Sequence, residues 1–115
     1  MRILIVDDEP MVATMIADAL RDEGNEVRVS FSGEDGLLII EEGWPEAVFL
    51  DIVMPGLDGN EVLRRIRVSW PRLPVIIMTG WATDEQITVA RRLGVSGVVT
   101  KPSALKNFVN AIAQI

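Results

Sequence analysis

Short apolar runs alternate along this chain with longer segments whose apolar residues recur at helical spacing. The runs are Ile3-Leu4-Ile5-Val6, Val27 to Phe31, Ala47 to Leu50, Val75 to Met78 and Val98 to Thr100, and each has the length of a strand. The first, third, fourth and fifth are apolar on both faces, as in a parallel sheet covered by helices on each side. The second alternates, which predicts an edge strand. After Pro10, a residue tolerated in the first turn of a helix, Val12, Met15, Ile16 and Ala19 repeat at i, i+3, i+4 and i+7 up to Gly24. Ser32 with Asp35, Asp58 with Glu61, and Thr83 with Gln86 resemble capping boxes, the first two with a shortened or substituted partner. They precede Leu37 to Ile40, Val62 to Ile66 and Ile87 to Leu93, with Gly43 and Gly94 as stops. A fifth helix is predicted after Pro102, capped by Ser103 and presenting Leu105, Phe108, Val109 and Ile112 on one face.

The order is therefore (βα)5. Right-handed crossovers with helices on both faces make it an α/β doubly wound parallel sheet of five strands. The common order for such a sheet is 2-1-3-4-5, which puts strands 1 and 3 side by side where ligands bind beyond the carboxyl ends of the strands. With 115 residues and a hydrophobic fraction of 49%, residues 1–115 make one domain with a real core. No apolar run reaches the roughly 18 residues that span a bilayer, and Met1-Arg2-Ile3-Leu4 does not begin a signal peptide, so the expected location is cytoplasmic.

Composition narrows the chemistry. There is no cysteine and no histidine, which excludes disulfides, thiolate metal sites, the usual zinc ligands and histidine acid/base catalysis. A net charge of -6 argues against a nucleic-acid surface. Residues 1–57 hold 13 acids against 3 arginines, and residues 58–115 hold 4 acids against 8 bases. The basic half is read either as a solvated face or as a docking surface around Arg64, Arg65, Arg67, Arg91 and Arg92.

Asp7, Asp8 and Glu9 end strand 1, Asp51 ends strand 3, Thr79 and Gly80 end strand 4, and Lys101-Pro102 ends strand 5, all on one edge of the sheet. Three aspartates converging there repel one another, and a single lysine cannot neutralise them, so either some stay protonated or a divalent cation binds. Carboxylates without His or Cys select Mg²⁺, Mn²⁺ or Ca²⁺, and a site with open positions suits Mg²⁺, which keeps waters and binds phosphate. Such a site suits a phosphoryl group taken by a carboxylate nucleophile. Asp51 stands alone at the centre and fits the acceptor, with Asp7, Asp8 and the Val53 carbonyl beside it for the metal.

At this point the chain resembles the receiver domains of two-component response regulators. The resemblance rests on Val6-Asp7-Asp8-Glu9, Leu50-Asp51-Ile52-Val53-Met54-Pro55-Gly56-Leu57-Asp58-Gly59, Met78-Thr79-Gly80 and Thr100-Lys101-Pro102, which together span almost the whole chain. It implies a flavodoxin-like fold and a phosphorylation switch in place of a turnover enzyme, assisting its own phosphoryl transfer and slow dephosphorylation. Asp51 would take a phosphoryl group from a sensor histidine kinase or phosphotransfer protein. Asp7 and Asp8 would hold Mg²⁺, with Mn²⁺ as an alternative, and Thr79 and Lys101 would contact the phosphoryl oxygens. The surface of helix 4, strand 5 and helix 5 would then change its affinity for an effector domain or downstream protein, or for a second copy in a phosphorylation-dependent dimer. The domain itself would contact neither nucleic acid nor membrane, and it is either complete or one part of a longer regulator.

The chain departs from the family three residues before the lysine, where receivers usually carry Phe or Tyr and this one has Val98. A valine cannot swing a ring between buried and exposed positions, which puts the usual threonine-aromatic coupling in doubt. Trp81 is the only large aromatic near the site by sequence and is read as a shield for the acyl phosphate, as partner surface or as loop cover. Trp44 and Trp70, each near a proline, read as structural. A haloacid dehalogenase-type hydrolase would need Asp-x-Asp after strand 1, and a dinucleotide site would need a glycine-rich turn there; this chain has Asp7-Asp8-Glu9-Pro10. An interaction module that keeps the fold without being phosphorylated is the third alternative.

Overall fold

Each apolar run becomes a strand and each periodic segment a helix in the computed structural model, which describes residues 1–56, 58–101 and 104–115. The order is β1 (Arg2–Val6), α1 (Pro10–Asp22), β2 (Glu26–Ser30), α2 (Gly33–Glu41), β3 (Ala47–Asp51), α3 (Gly59–Ser69), β4 (Val75–Thr79), α4 (Asp84–Arg92), β5 (Gly97–Thr100) and α5 (Leu105–Ala113). The strands form one parallel sheet in the order β2-β1-β3-β4-β5.

Successive side chains of a strand point to opposite faces, so the doubly apolar runs feed two cores. On one face Leu4, Val6, Val48, Leu50, Val75 and Ile77 pack with Leu37 and Ile40 of α2, Leu63 and Ile66 of α3 and Ala90 of α4. On the other, Ile3, Ile5, Phe49, Ile76 and Met78 pack with Ile16 and Leu20 of α1 and Phe108 of α5. The Phe49 and Phe108 rings meet at 5.8 Å, tilted by 59°. Full burial of side chains this size stabilises the fold by about 1.5–3 kcal/mol each. The alternating second run is the edge strand, as its pattern predicts. β5 is the other edge, and there the pattern misleads: of its two valines Val99 is buried, while Val98 is half-buried against the α2–α3–α4 core.

The caps set where the helices begin. Ser32 Oγ accepts from Asp35 N at 3.2 Å. Thr83 and Gln86 form a full capping box, with Gln86 N donating to Thr83 Oγ1 at 3.1 Å and Thr83 N to Gln86 Oε1 at 2.9 Å. Asp58 Oδ1 caps α3 by accepting from Asn60 N at 2.7 Å, and the Glu61 carboxylate pairs with Arg64 and Arg65, so the reciprocal half of a capping box is not made. α5 is capped by Ala104 without a side-chain bond; the expected Ser103 cap and the Lys101-Pro102 peptide fall outside the described residues, as does Leu57. Gly94 ends α4 at a φ of 78°, a left-handed backbone that a side chain would strain. Gly59 opens α3 against the strand it follows: a Cβ there would land on Ile52 Cα and 2.8 Å from the Asp51 carbonyl oxygen. This close approach brings the start of α3 under the residue that ends β3.

Candidate functional site

Parallel pairing of β1 with β3, Val6 opposite Leu50, brings the residues that follow both strands to the same edge. Asp7 is fully buried there and Asp51 is 4% exposed, while Asp8 is half-buried and Glu9 exposed. One carboxylate oxygen from each of Asp7, Asp8, Glu9 and Asp51 lies within 4.8 Å of the others. Lys101, carried in by the end of β5, reaches the middle of this cluster. Its Nζ is 2.8 Å from Asp7 Oδ2, 3.0 Å from Asp51 Oδ2 and 3.0 Å from Glu9 Oε1. Thr79 is buried at the end of β4, one residue beyond the Met78 that faces Asp51 in the sheet.

Backbone groups orient the acids. Val53 N donates to Asp51 Oδ1 at 2.9 Å, leaving Oδ2 to Lys101. Glu9 N donates to Asp7 Oδ1 at 3.0 Å. Thr79 Oγ1 accepts from Ala82 N at 2.9 Å, which fixes the threonine hydroxyl to the loop before α4. Burial pushes the Asp51 carboxyl above the ordinary aspartate range, and the Val53 N–H and Lys101 pull it part of the way back. For Lys101, burial by itself would favour the neutral amine, but the carboxylates of Asp7, Asp51 and Glu9 outweigh it and hold the ammonium well above its usual value.

These residues fit a hard divalent cation. Asp7 Oδ2 is buried and meets Lys101 Nζ at 2.8 Å as an ion pair, with no further partner among the described residues. A single ammonium therefore leaves both carboxylate charge and acceptor capacity unsatisfied among four acids, and an all-oxygen donor set matches Mg²⁺ or Mn²⁺. Beside the cluster lies a cavity of about 390 Å³ between α1, α5 and the loop after β4, lined by Glu9, Asp51 and Lys101 and by the apolar Met15, Trp81 and Phe108. Trp81 is 89% exposed, so it stands at the rim of this cavity and does not cover it.

Every residue singled out from the sequence is brought to this edge: Asp7, Asp8, Asp51, Val53, Thr79 and Lys101. Two partners were not anticipated. Glu9 was grouped with the strand-end acids but given no role, and it pairs with Lys101 across 92 positions of sequence. The Ala82 N–H on Thr79 comes from a loop whose course has no sequence signature. The basic surface needs correction. Arg67 turns inward, donating from Nε to Leu93 O at 2.7 Å, from Nη1 to Trp70 O at 3.1 Å and Leu73 O at 2.8 Å, and from Nη2 to Gly94 O at 3.0 Å. Arg64 and Arg65 share the single carboxylate of Glu61 and stay exposed, as do Arg91 and Arg92 at the end of α4, so only Arg67 leaves the surface. Trp44 is structural, half-buried with the Arg28 guanidinium 4.4 Å from its ring centre.

Residues 3–113 match the family described as the response regulator receiver domain. Over 100 residues, 87% of this chain, the sequence is 36% identical to the transcriptional regulatory protein AfsQ1 of Streptomyces coelicolor, and it spans 44% of that longer protein. Among solved structures, a CheY-like response regulator receiver domain protein from Methanospirillum hungatei superimposes with a TM-score of 0.94 at 28% identity, over 98% of this chain and 90% of the other. The receiver domain of NtrX from Brucella abortus gives 0.90 at 34% identity, over 97% and 95%. The strand order, the acids gathered at the ends of β1 and β3 and the match over nearly the full chain agree, and this protein belongs to the response regulator receiver domain family.

Proposed function

We propose that Asp51 is the phosphoacceptor of a signalling switch, taking a phosphoryl group from the phosphohistidine of a sensor kinase or phosphotransfer protein. Receiver domains are regulatory phosphoacceptor domains of two-component systems and not turnover enzymes. The observation that carries the assignment is the position of Asp51. It ends a central strand, is oriented by the Val53 N–H and faces Lys101, with Asp7 and Asp8 beside it.

In this reading a carboxylate oxygen of Asp51 attacks phosphorus in line, the P–N bond to the donor imidazole breaks, and the imidazole leaves with the electron pair. Asp7, Asp8 and Asp51, with the Val53 carbonyl, would hold Mg²⁺ or Mn²⁺, which when bound neutralises charge on the phosphoryl oxygens. The Lys101 ammonium, already between Asp7 and Asp51, supplies a second positive charge. The Thr79 hydroxyl accepts from Ala82 N and can still donate its own proton to a phosphoryl oxygen. The same groups lower the barrier for the slow hydrolysis that resets the switch.

The phosphoryl group adds about -1.5 to -2 charge, and Thr79 connects that charge to the loop before α4. The surface of α4, β5 and α5 then changes its affinity for an effector domain, a downstream protein or a second copy of the chain. We read residues 1–115 as one receiver domain acting on such a partner in the cytoplasm. The net charge of -6 supports an output through protein contacts and not by direct binding of nucleic acid. None of the described helices is long and apolar enough to cross a membrane. Intact-mass analysis after incubation with acetyl phosphate and Mg²⁺ tests the reading: one labile phosphoryl group on the wild type and none on Asp51→Asn is expected. No adduct on the wild type, or an undiminished adduct on the variant, contradicts it.

A further inference from the structure

The edge of the sheet opposite the acid site carries a row of opposite charges. α2, α3 and α4 all end there, each before the start of the strand that follows it, and α3 packs between the other two. One end of the row is acidic. Glu41 and Glu42 are exposed at the close of α2, where a carboxylate meets the negative end of the helix dipole and the last turn holds no base. The middle is Trp70, 39% exposed, whose ring lies beside them: a methyl on Gly43 would stand 3.5 Å from Trp70 Cη2. The far end is basic. Arg67 fastens the end of α3 to the end of α4, donating to Leu93 O at 2.7 Å and Gly94 O at 3.0 Å, and this fixes the exposed Arg91 and Arg92 on the side of α3 away from α2. Among the described residues Glu41, Arg91 and Arg92 make no ion pair, and Glu42 meets Arg28 at 3.5 Å in an exposed one.

We propose that this edge binds a second copy of the chain across a two-fold axis through Trp70. Such an axis turns the row end for end. Glu41 and Glu42 of each copy then face Arg91 and Arg92 of the other, and the two Trp70 rings meet between them. An isologous contact needs a self-complementary patch, and acid, aromatic and base in line make one. Tryptophan and arginine are also the residues that interface centres favour. Pairing relieves what the single chain leaves unbalanced, because the arginines of the other copy supply the positive charge that the end of α2 lacks. Each exposed ion pair contributes little, so the dimer is weak and exchanges quickly. Asp51 lies at the other end of the strands, so pairing needs neither Mg²⁺ nor a phosphoryl group and leaves the acid site open.

Sedimentation velocity of the whole chain from about 10 µM to about 1 mM, the range of weak complexes, tests the contact. The wild type should pass from monomer to dimer, equally with and without beryllofluoride and Mg²⁺. Glu41→Lys with Glu42→Lys should raise the dissociation constant by about tenfold or more, although it brings the net charge of -6 toward zero and so weakens the general repulsion between copies. Arg91→Glu with Arg92→Glu should weaken the dimer to a similar degree. All four substitutions in one chain keep the net charge and exchange the two ends of the row, so association should return to the wild-type level. A wild type that stays monomeric throughout, or that dimerises only with beryllofluoride, overturns the proposal. So does a fourfold variant that associates no better than either double variant. If the arginine variants do not fold, Glu41→Lys with Glu42→Lys decides the matter, and undiminished association of that protein overturns the contact.

Discussion

Replacing Lys101 by methionine keeps most of the side-chain volume and removes the ammonium that stands among Asp7, Glu9 and Asp51. Lys101 is 10% exposed at its side chain, Asp7 0% and Asp51 5%, so the two aspartates would be left buried with no cation between them. Breaking a buried pair from one side costs about 3–5 kcal/mol. The lower end applies here, because the side chain of Glu9 is 58% exposed and can turn to water, and the Asp51 carboxyl is already raised by burial and accepts a proton more readily than an ordinary aspartate. We expect a loss of about 3 kcal/mol in urea denaturation in the presence of EDTA. Mg²⁺ should restore part of it, since a divalent cation among the same oxygens removes the same repulsion. An ion at about a hundred times its dissociation constant contributes about 2.7 kcal/mol. The variant should thus gain more from Mg²⁺ than the wild type, in which the lysine already offsets part of the charge. A variant within about 1 kcal/mol of the wild type in EDTA, below the range for a buried pair, would refute the reasoning. Equal stabilisation of both proteins by Mg²⁺ would refute it too.

Two glycines should respond oppositely to alanine. Gly59→Ala forces the start of α3 off the Asp51–Ile52 backbone, so it should destabilise by about 1–3 kcal/mol or more and slow phosphoryl uptake as Asp51 shifts; Gly97→Ala, with nothing within 4 Å of the new methyl, should be neutral or stabilising by up to about 1 kcal/mol. Thermal melts of both variants and a phosphorylation time course for the first check this, and a Gly59→Ala protein that melts with the wild type contradicts the close approach. Thr83→Ala removes the capping box of α4 and should cost about 1 kcal/mol in urea denaturation, with faster amide exchange confined to the first turn of that helix.

The strand order and the site were legible because both follow from short-range pattern. Four runs apolar on both faces and one that alternates leave few ways to arrange a (βα)5 chain, and the acids after β1 and β3 meet wherever that order holds. What was not legible depends on side-chain direction. Arg67 lies in a basic stretch and reads as surface charge, yet in the fold it donates to four carbonyls in the segments that follow α3 and α4, which no local pattern announces. Glu9 meets Lys101 only because β1 and β5 end on the same edge. The run at Val98 suggested a strand covered on both faces, but β5 is last in the sheet and has a neighbour on one side only. Asp58 takes the Asn60 N–H, and the Glu61 carboxylate that would complete a capping box pairs with Arg64 and Arg65, a choice that depends on side-chain direction.

The central claim is that phosphorylation occurs at Asp51 and nowhere else in the acidic cluster. Borohydride reduction converts an aspartyl phosphate to homoserine and marks the carboxylate that carried the group. Applied after acetyl phosphate and Mg²⁺ and followed by peptide mass spectrometry, it should place homoserine at position 51 and leave Asp7, Asp8 and Glu9 unreduced. Homoserine at position 7 or 8, or no reduced residue in a protein that has taken up phosphate, would contradict the account.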